Sequence, residues 1–219
     1  MKKMLALALT LIMALSLTAC SGNNSGVQAG NGPNVAAQEK TSPLNTKTES
    51  GDQKQMDSTR KKILIAYFSR TSNTREIANQ IHENVGGDLF EIVTVNPYPA
   101  DYNGTVDQAK REQENNSRPK LTAEVKNMDS YDVVFVGYPN WWGTMPMAVF
   151  TFWEGYNFSG KTIIPFSTHE GSGLGRSVND IRALCPQATI LDGLAIRGSD
   201  AKNARNDVSA WLRKLGMIN

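Results

Sequence analysis

Cysteine and histidine are scarce in this chain, with two of each among 219 residues. Two cysteines, Cys20 and Cys185, cannot build the disulfide framework of a small secreted scaffold. Two histidines, His82 and His169, offer little material for a zinc site, so no metal is expected. A dominant charge is missing as well. Lys and Arg number 23 against 21 Asp and Glu, a formal net charge of +2. That is too small for the electrostatic footprint of a nucleic-acid partner or an acidic membrane surface. Long apolar runs are also lacking. The longest, from Met4 to Leu17, falls short of the roughly 20 residues that a membrane-spanning helix needs.

The apolar run does fit a targeting segment. Lys2 and Lys3 precede it, and it closes on the small residues of Leu17-Thr18-Ala19-Cys20, the layout of a secretory signal. These four residues resemble a bacterial lipobox, which implies cleavage after residue 19 and lipidation of Cys20. An ordinary signal peptide that happens to end near a cysteine is the alternative. Removing residues 1–19 takes away Lys2 and Lys3, so Lys and Arg fall from 23 to 21 and equal the 21 acidic residues. The mature chain is then formally neutral. With Cys20 acylated, Cys185 has no partner and reads as a small buried hydrophobe. Residues 20–59 are rich in Ser, Gly, Asn, Gln, Thr and Lys, and cannot bury enough surface to offset the entropy of ordering. They are expected to form a tether with an end-to-end reach of roughly 35 Å. The expected location is the bacterial cell envelope, outside the cytoplasm, with the protein lipid-anchored to the membrane.

Residues 60–219 read as one α/β domain. Ile63-Leu-Ile-Ala-Tyr-Phe68 is a continuous apolar run, as a strand buried on both faces requires. A polar loop, Ser69 to Thr74, leads into a helix with Ile77, Ala78, Ile81 and Val85 on one face. Further strands are expected over residues 88–95, 131–138, 161–168 and within 189–196. Helices are expected after the third and fourth strands and at the C-terminus; residues 96–130 are less clear, with a polar stretch at 102–116 that has a thin apolar face. Five strands alternating with helices imply a doubly wound parallel sheet with helices on both faces. In such sheets a ligand sits at the carboxyl ends of the strands, where strand order reverses.

Three loops carry unusual chemistry. Ser69, Arg70, Thr71, Ser72, Asn73 and Thr74 lie where a helix N-terminus favours an anion, and their hydroxyls and the Arg70 charge suit a phosphate. A helix cap, with Asn73 capping and Glu76 closing a capping box, is the competing reading. Pro139, Asn140, Trp141, Trp142 and Gly143 follow the third strand. A turn presenting flat indoles at a sheet's carboxyl edge suits stacking on a planar ring. Thr168, His169, Glu170, Gly171, Ser172 and Gly173 follow the fourth. Gly171, Gly173 and Gly175 give a G-x-G-x-G spacing, with Arg176 where the third fingerprint glycine belongs, which is not the dinucleotide pattern. The glycines instead let backbone amides approach the edge of a polar ring. His169 beside Ser167 and Ser172 lacks the G-x-S-x-G elbow of a hydrolase.

A phosphate, a stacked planar ring and a polar ring edge together describe flavin mononucleotide (FMN). Residues 66–74, 139–143 and 168–175 resemble the phosphate loop and two flavin loops of the flavodoxin family, in that order, over residues 62–218. The resemblance implies a sheet of order 2-1-3-4-5, FMN as cofactor, and electron transfer with a redox partner protein or quinone. It places Trp141 or Trp142 over one ring face, Gly143 where a backbone carbonyl can turn toward the flavin, and Glu170 near the pyrimidine end. Ser72 departs from the family, which usually has glycine there. If the position needs a positive φ, serine strains the loop. An FMN-dependent NAD(P)H or quinone oxidoreductase is the alternative function, with residues 96–130 as a second wall. A flavin-free surface binding module is the third.

Overall fold

The computed structural model describes residues 61–219. The expected signal segment, Cys20 and the tether lie outside the described residues. The elements run β1 (Ile63–Tyr67), α1 (Asn73–Val85), β2 (Asp88–Glu91), α2 (Tyr102–Glu114), β3 (Val133–Pro139), α3 (Met147–Glu154), β4 (Thr162–His169), α4 (Ser177–Leu184), β5 (Thr189–Ile190), β6 (Leu194–Arg197) and α5 (Arg205–Lys214). All strand pairs are parallel, in the order β2-β1-β3-β4-β5, with β6 also paired to β4.

The apolar run of β1 divides between two cores by its period of two. Leu64, Ala66 and Phe68 join Val134, Val136, Phe152 and Ile181 on the face covered by α3 and α4. Ile65 and Tyr67 join Phe135, Ile77, Ile81, Val208 and Leu212 on the face covered by α1 and α5. Both faces are covered, so the central strands tolerate no polar alternation.

Two expected strands are shorter than the sequence suggests. Residues 88–95 form ladder only through Glu91; beyond it, Thr94 bridges antiparallel to Leu121. The last strand is split into β5 and β6. Leu191 donates its N–H to Ile163 O at 2.9 Å, so Pro165, two residues on, faces the same neighbour. Having no N–H to give, it breaks the ladder there, and the chain resumes pairing at Phe166↔Leu194.

Candidate functional site

The carboxyl ends of β1, β3 and β4 meet at one cleft of about 580 Å³. Arg70, Thr71 and Asn73 line it from the first loop, Pro139, Asn140, Trp141 and Trp142 from the second, and Thr168, His169, Glu170, Gly171 and Ser172 from the third. Four residues of α2 (Tyr102, Thr105, Val106 and Ala109) and Gly198 after β6 complete the wall. Sequence reasoning offered residues 96–130, Tyr102 among them, as a wall only for the alternative function, and it singled out none of Thr105, Val106, Ala109 and Gly198. The α2 signal was present as an i, i+3, i+4, i+7 stripe in the undecided stretch. The Gly198 signal was not, because the split last strand hid where its loop begins.

At the first loop Ser72 stands at the N-cap of α1 with φ 67° and ψ −5°, in the left-handed region. Asn73 is already helical and does not cap, which corrects the capping-box reading, since an N-cap residue needs non-helical dihedrals. The Glu76 carboxylate instead accepts from Gln80 Nε2 at 2.9 Å. Ser69 does not line the cleft; its Oγ accepts the Arg75 N–H at 3.2 Å. The Thr74 hydroxyl is buried against the Thr168 hydroxyl at 2.8 Å and so ties the first loop to the third. Helix geometry leaves the first-turn amides without intrahelical acceptors, and a left-handed residue beside a helical one shapes them into an anion-binding concavity.

Arg70 does not point its Nη2 at that concavity. It donates to three carbonyls, Pro99 O at 3.1 Å, Ala100 O at 2.6 Å and Asp101 O at 3.0 Å. These belong to the segment that enters α2, so the guanidinium braces the α2 wall against the first loop.

The second loop is a tight turn. Trp141 N donates to Thr144 O at 2.8 Å and Thr144 N to Trp141 O at 3.1 Å. Trp142 and Gly143, with φ of 52° and 81°, occupy the two central positions, the pattern of a type I′ turn. The two indoles therefore diverge. Trp141 packs edge-on against Tyr98 at 5.1 Å and Phe68 at 5.4 Å. Burial, reinforced by a 2.6 Å hydrogen bond to Glu112, pushes the Tyr98 phenol well above its ordinary pKa. Trp142 stays 47 % exposed, donating Nε1–H to Val106 O at 3.2 Å with Lys110 Nζ 5.5 Å from its ring centre. The Gly143 carbonyl is taken by the Arg176 N–H at 2.9 Å. Here it faces the third loop, so turning toward a ligand would give up that hydrogen bond.

The third loop is held onto the second. The Gly173 carbonyl accepts from Asn140 Nδ2 at 2.8 Å and from Ser167 Oγ at 3.1 Å, so Gly173 is framework. A Cβ at Gly175 would fall 2.2 Å from Gly143 O, which explains glycine where the two loops touch. Tyr138 Oη donates to Ser177 Oγ at 2.7 Å beneath them, and burial pushes that phenol up as well. Among the described residues no group of three or more His, Cys, Asp or Glu side chains could hold a metal ion.

Comparison with known proteins agrees with this geometry. The profile of the flavodoxin family matches residues 62–215. Two solved structures, of proteins provisionally classed as flavoproteins, come from Bacteroides eggerthii DSM 20697 and Bacteroides uniformis ATCC 8492. They are 34 % and 30 % identical, each with a TM-score of 0.63, covering 71 % and 70 % of this chain and 98 % of their own. A flavoprotein of Lactobacillus acidophilus NCFM, solved in complex with FMN, shares the fold at 23 % identity and a TM-score of 0.54, covering 65 % of this chain and 97 % of its own. No curated protein matches. The chain belongs to the flavodoxin family.

Proposed function

We propose that this protein binds FMN and carries electrons outside the cytoplasm, held to the membrane through a lipid on Cys20. The observation that carries the reading is the shared cleft, where a helix N-terminus, two tryptophans and a glycine-rich backbone converge. The donor set fits the cofactor. The first-turn amides of Asn73 and Thr74 and the Thr71 hydroxyl would hold the phosphate. Asn140, Trp141 and Trp142 would hold one side of the ring system. The backbone of residues 170–172 would meet the polar ring edge. Close packing at Gly198 supports the fit: a Cβ there would lie 2.6 Å from Glu170 Oε1 and 2.7 Å from Asn73 Nδ2, so glycine leaves room for these two polar ends at the cleft wall. The FMN complex of the Lactobacillus acidophilus flavoprotein supports the same cofactor on the same fold.

Bound FMN would supply reversible one- and two-electron reduction. The chain's own residues would orient the ring, exclude water from its buried side and set the charge around it. The partner is a redox protein or a quinone, and no nucleic acid is involved. A second reading, an FMN-dependent NAD(P)H or quinone oxidoreductase, is favoured by one observation: the α2 wall deepens the cleft beyond the three flavin loops.

The deciding experiment incubates the purified full chain with FMN, passes it through gel filtration and titrates the product with reductant. Flavin bands that co-elute and bleach in one-electron steps support the carrier. Bound flavin that takes up electrons only in pairs and is reoxidised by NAD(P)⁺ or a quinone supports the oxidoreductase. Loss of all flavin on the column overturns both. The anchor is tested separately by fatty-acid labelling in cells, which Cys20→Ala should abolish.

A further inference from the structure

We propose that His169 is fixed as an Nε2–H donor in the cleft, serving an oxygen at a planar ring's edge that gains negative charge on reduction. The inference rests on the FMN reading and adds to it the tautomer and role of one side chain.

His169 is the last residue of β4, paired in register with Arg197 of β6, and it lines the cleft. Its Nδ1 accepts the N–H of Gly171 at 2.9 Å. A ring nitrogen that accepts carries no proton, so a neutral imidazole in this arrangement holds its proton on Nε2. The backbone imposes this choice. The Gly171 N–H lies against the ring two residues earlier, and its φ of 148°, which residues with a Cβ rarely adopt, turns the chain away directly after that amide. With Nδ1 occupied inside its own loop, Nε2 is the nitrogen left to meet a ligand.

The neighbours give the donor its significance. Glu170 beside it presents a carboxylate, which when ionised can only accept hydrogen bonds. Arg197 Nη2 lies 3.9 Å from where a Cβ of Gly171 would be. A carbonyl oxygen at the ring edge is a weak acceptor when the ring is oxidised and a strong one when reduction places charge on it. A fixed N–H donor therefore binds the reduced ring more tightly than the oxidised one, opposing a Glu170 carboxylate, whose negative charge would disfavour an anionic reduced ring.

Two substitutions separate this role from a structural one. Asparagine places Oδ1 where Nδ1 stood, keeping the Gly171 contact and losing the donor. Glutamine places its amide nitrogen near Nε2, keeping the donor and losing the contact. The full chain is titrated with oxidised FMN by fluorescence quenching, and the midpoint potential then gives the relative affinity for reduced FMN. His169→Asn should lower the ratio of reduced to oxidised affinity about tenfold, as loss of a charge-assisted hydrogen bond does; His169→Gln should keep it within about threefold. In the flavin-free wild type, long-range proton–nitrogen NMR should show the proton on Nε2. The reverse order of variants, an equal ratio in all three proteins or a proton on Nδ1 overturns the inference alone. Failure of the wild type to bind FMN overturns it together with the FMN reading.

Discussion

At the scale of single residues, the site is built from backbone conformations as much as from side chains. Serine at position 72 stood out in the sequence because the family usually has glycine there, and its φ of 67° shows why. A non-glycine residue pays about 1 kcal/mol or more in the left-handed region. Ser72→Gly should therefore raise stability by about 0.5 kcal/mol after allowing for the freer unfolded chain, and Ser72→Val should lower it by about 2 kcal/mol, both read from urea midpoints at constant slope. A fall in stability for the glycine variant would show that the loop is unstrained. Gly175 and Gly198 predict different failures. Gly175→Ala forces a Cβ against the Gly143 carbonyl at 2.2 Å, backbone on backbone, and should cost about 2 to 3 kcal/mol. Gly198→Ala meets only the ends of Glu170 and Asn73, which can swing away into the cleft. It should change stability by less than about 0.5 kcal/mol while weakening FMN binding in a fluorescence titration. Arg70 marks where residue-level reading stopped. An arginine in a phosphate loop suggests a phosphate contact, but three carbonyls 29 to 31 residues away claim its Nη2. Such a partner is set by tertiary placement and leaves no local pattern.

At the scale of elements, legibility followed burial. Strands β1 and β3 are apolar throughout, and β4 from Ile163 to Phe166, because both their faces are covered, so their runs stood out. The edge was harder: β2 ends at Glu91 because the chain then turns to pair Thr94 with Leu121, although residues 92–95 keep the β-branched composition of a strand. Helix α2 was the least legible element that shapes the site, since a helix packed on one side by Thr105 and Ala109 alone has little apolar signature. Its order depends on its start. Asp101 Oδ1 accepts the Gly104 N–H at 2.6 Å, and Arg70 clasps the three carbonyls just before the helix. Asp101→Ala should cost about 1 kcal/mol of stability, the usual value of a helix cap. In both Asp101→Ala and Arg70→Ala, hydrogen exchange should quicken over residues 102–106 and stay slow in β1 and β3. Faster exchange spread evenly over the domain would mean that α2 is not a separate unit.

At the scale of the whole molecule, the two cores on opposite sides of the sheet enclose most of the chain's phenols and its Cys185 thiol. The position of Cys185 before Pro186, at the end of an apolar helical face, pointed to a buried thiol, and burial pushes that thiol up to about 11. Burial first, then the Asp88 carboxylate that accepts its hydroxyl, pushes Tyr131 up to about 12. Tyr98, Tyr138, Tyr67 and Tyr156 are also raised, each chiefly by burial. A group whose folded pKa lies above its unfolded value stabilises the fold fully below the unfolded value. That contribution is lost as pH rises through the folded value. The ordinary values here are 9.0 for the thiol and 10.0 for the phenols. The fold should thus keep this contribution in full up to about pH 9 and lose it steadily from there to about pH 12. Loss of helical circular dichroism and the rise of phenolate absorbance should then coincide as the protein is taken through that range. Phenolate absorbance that climbs substantially while the circular dichroism stays native would show that these hydroxyls reach water in the folded state, and that the two cores are more open than their packing indicates.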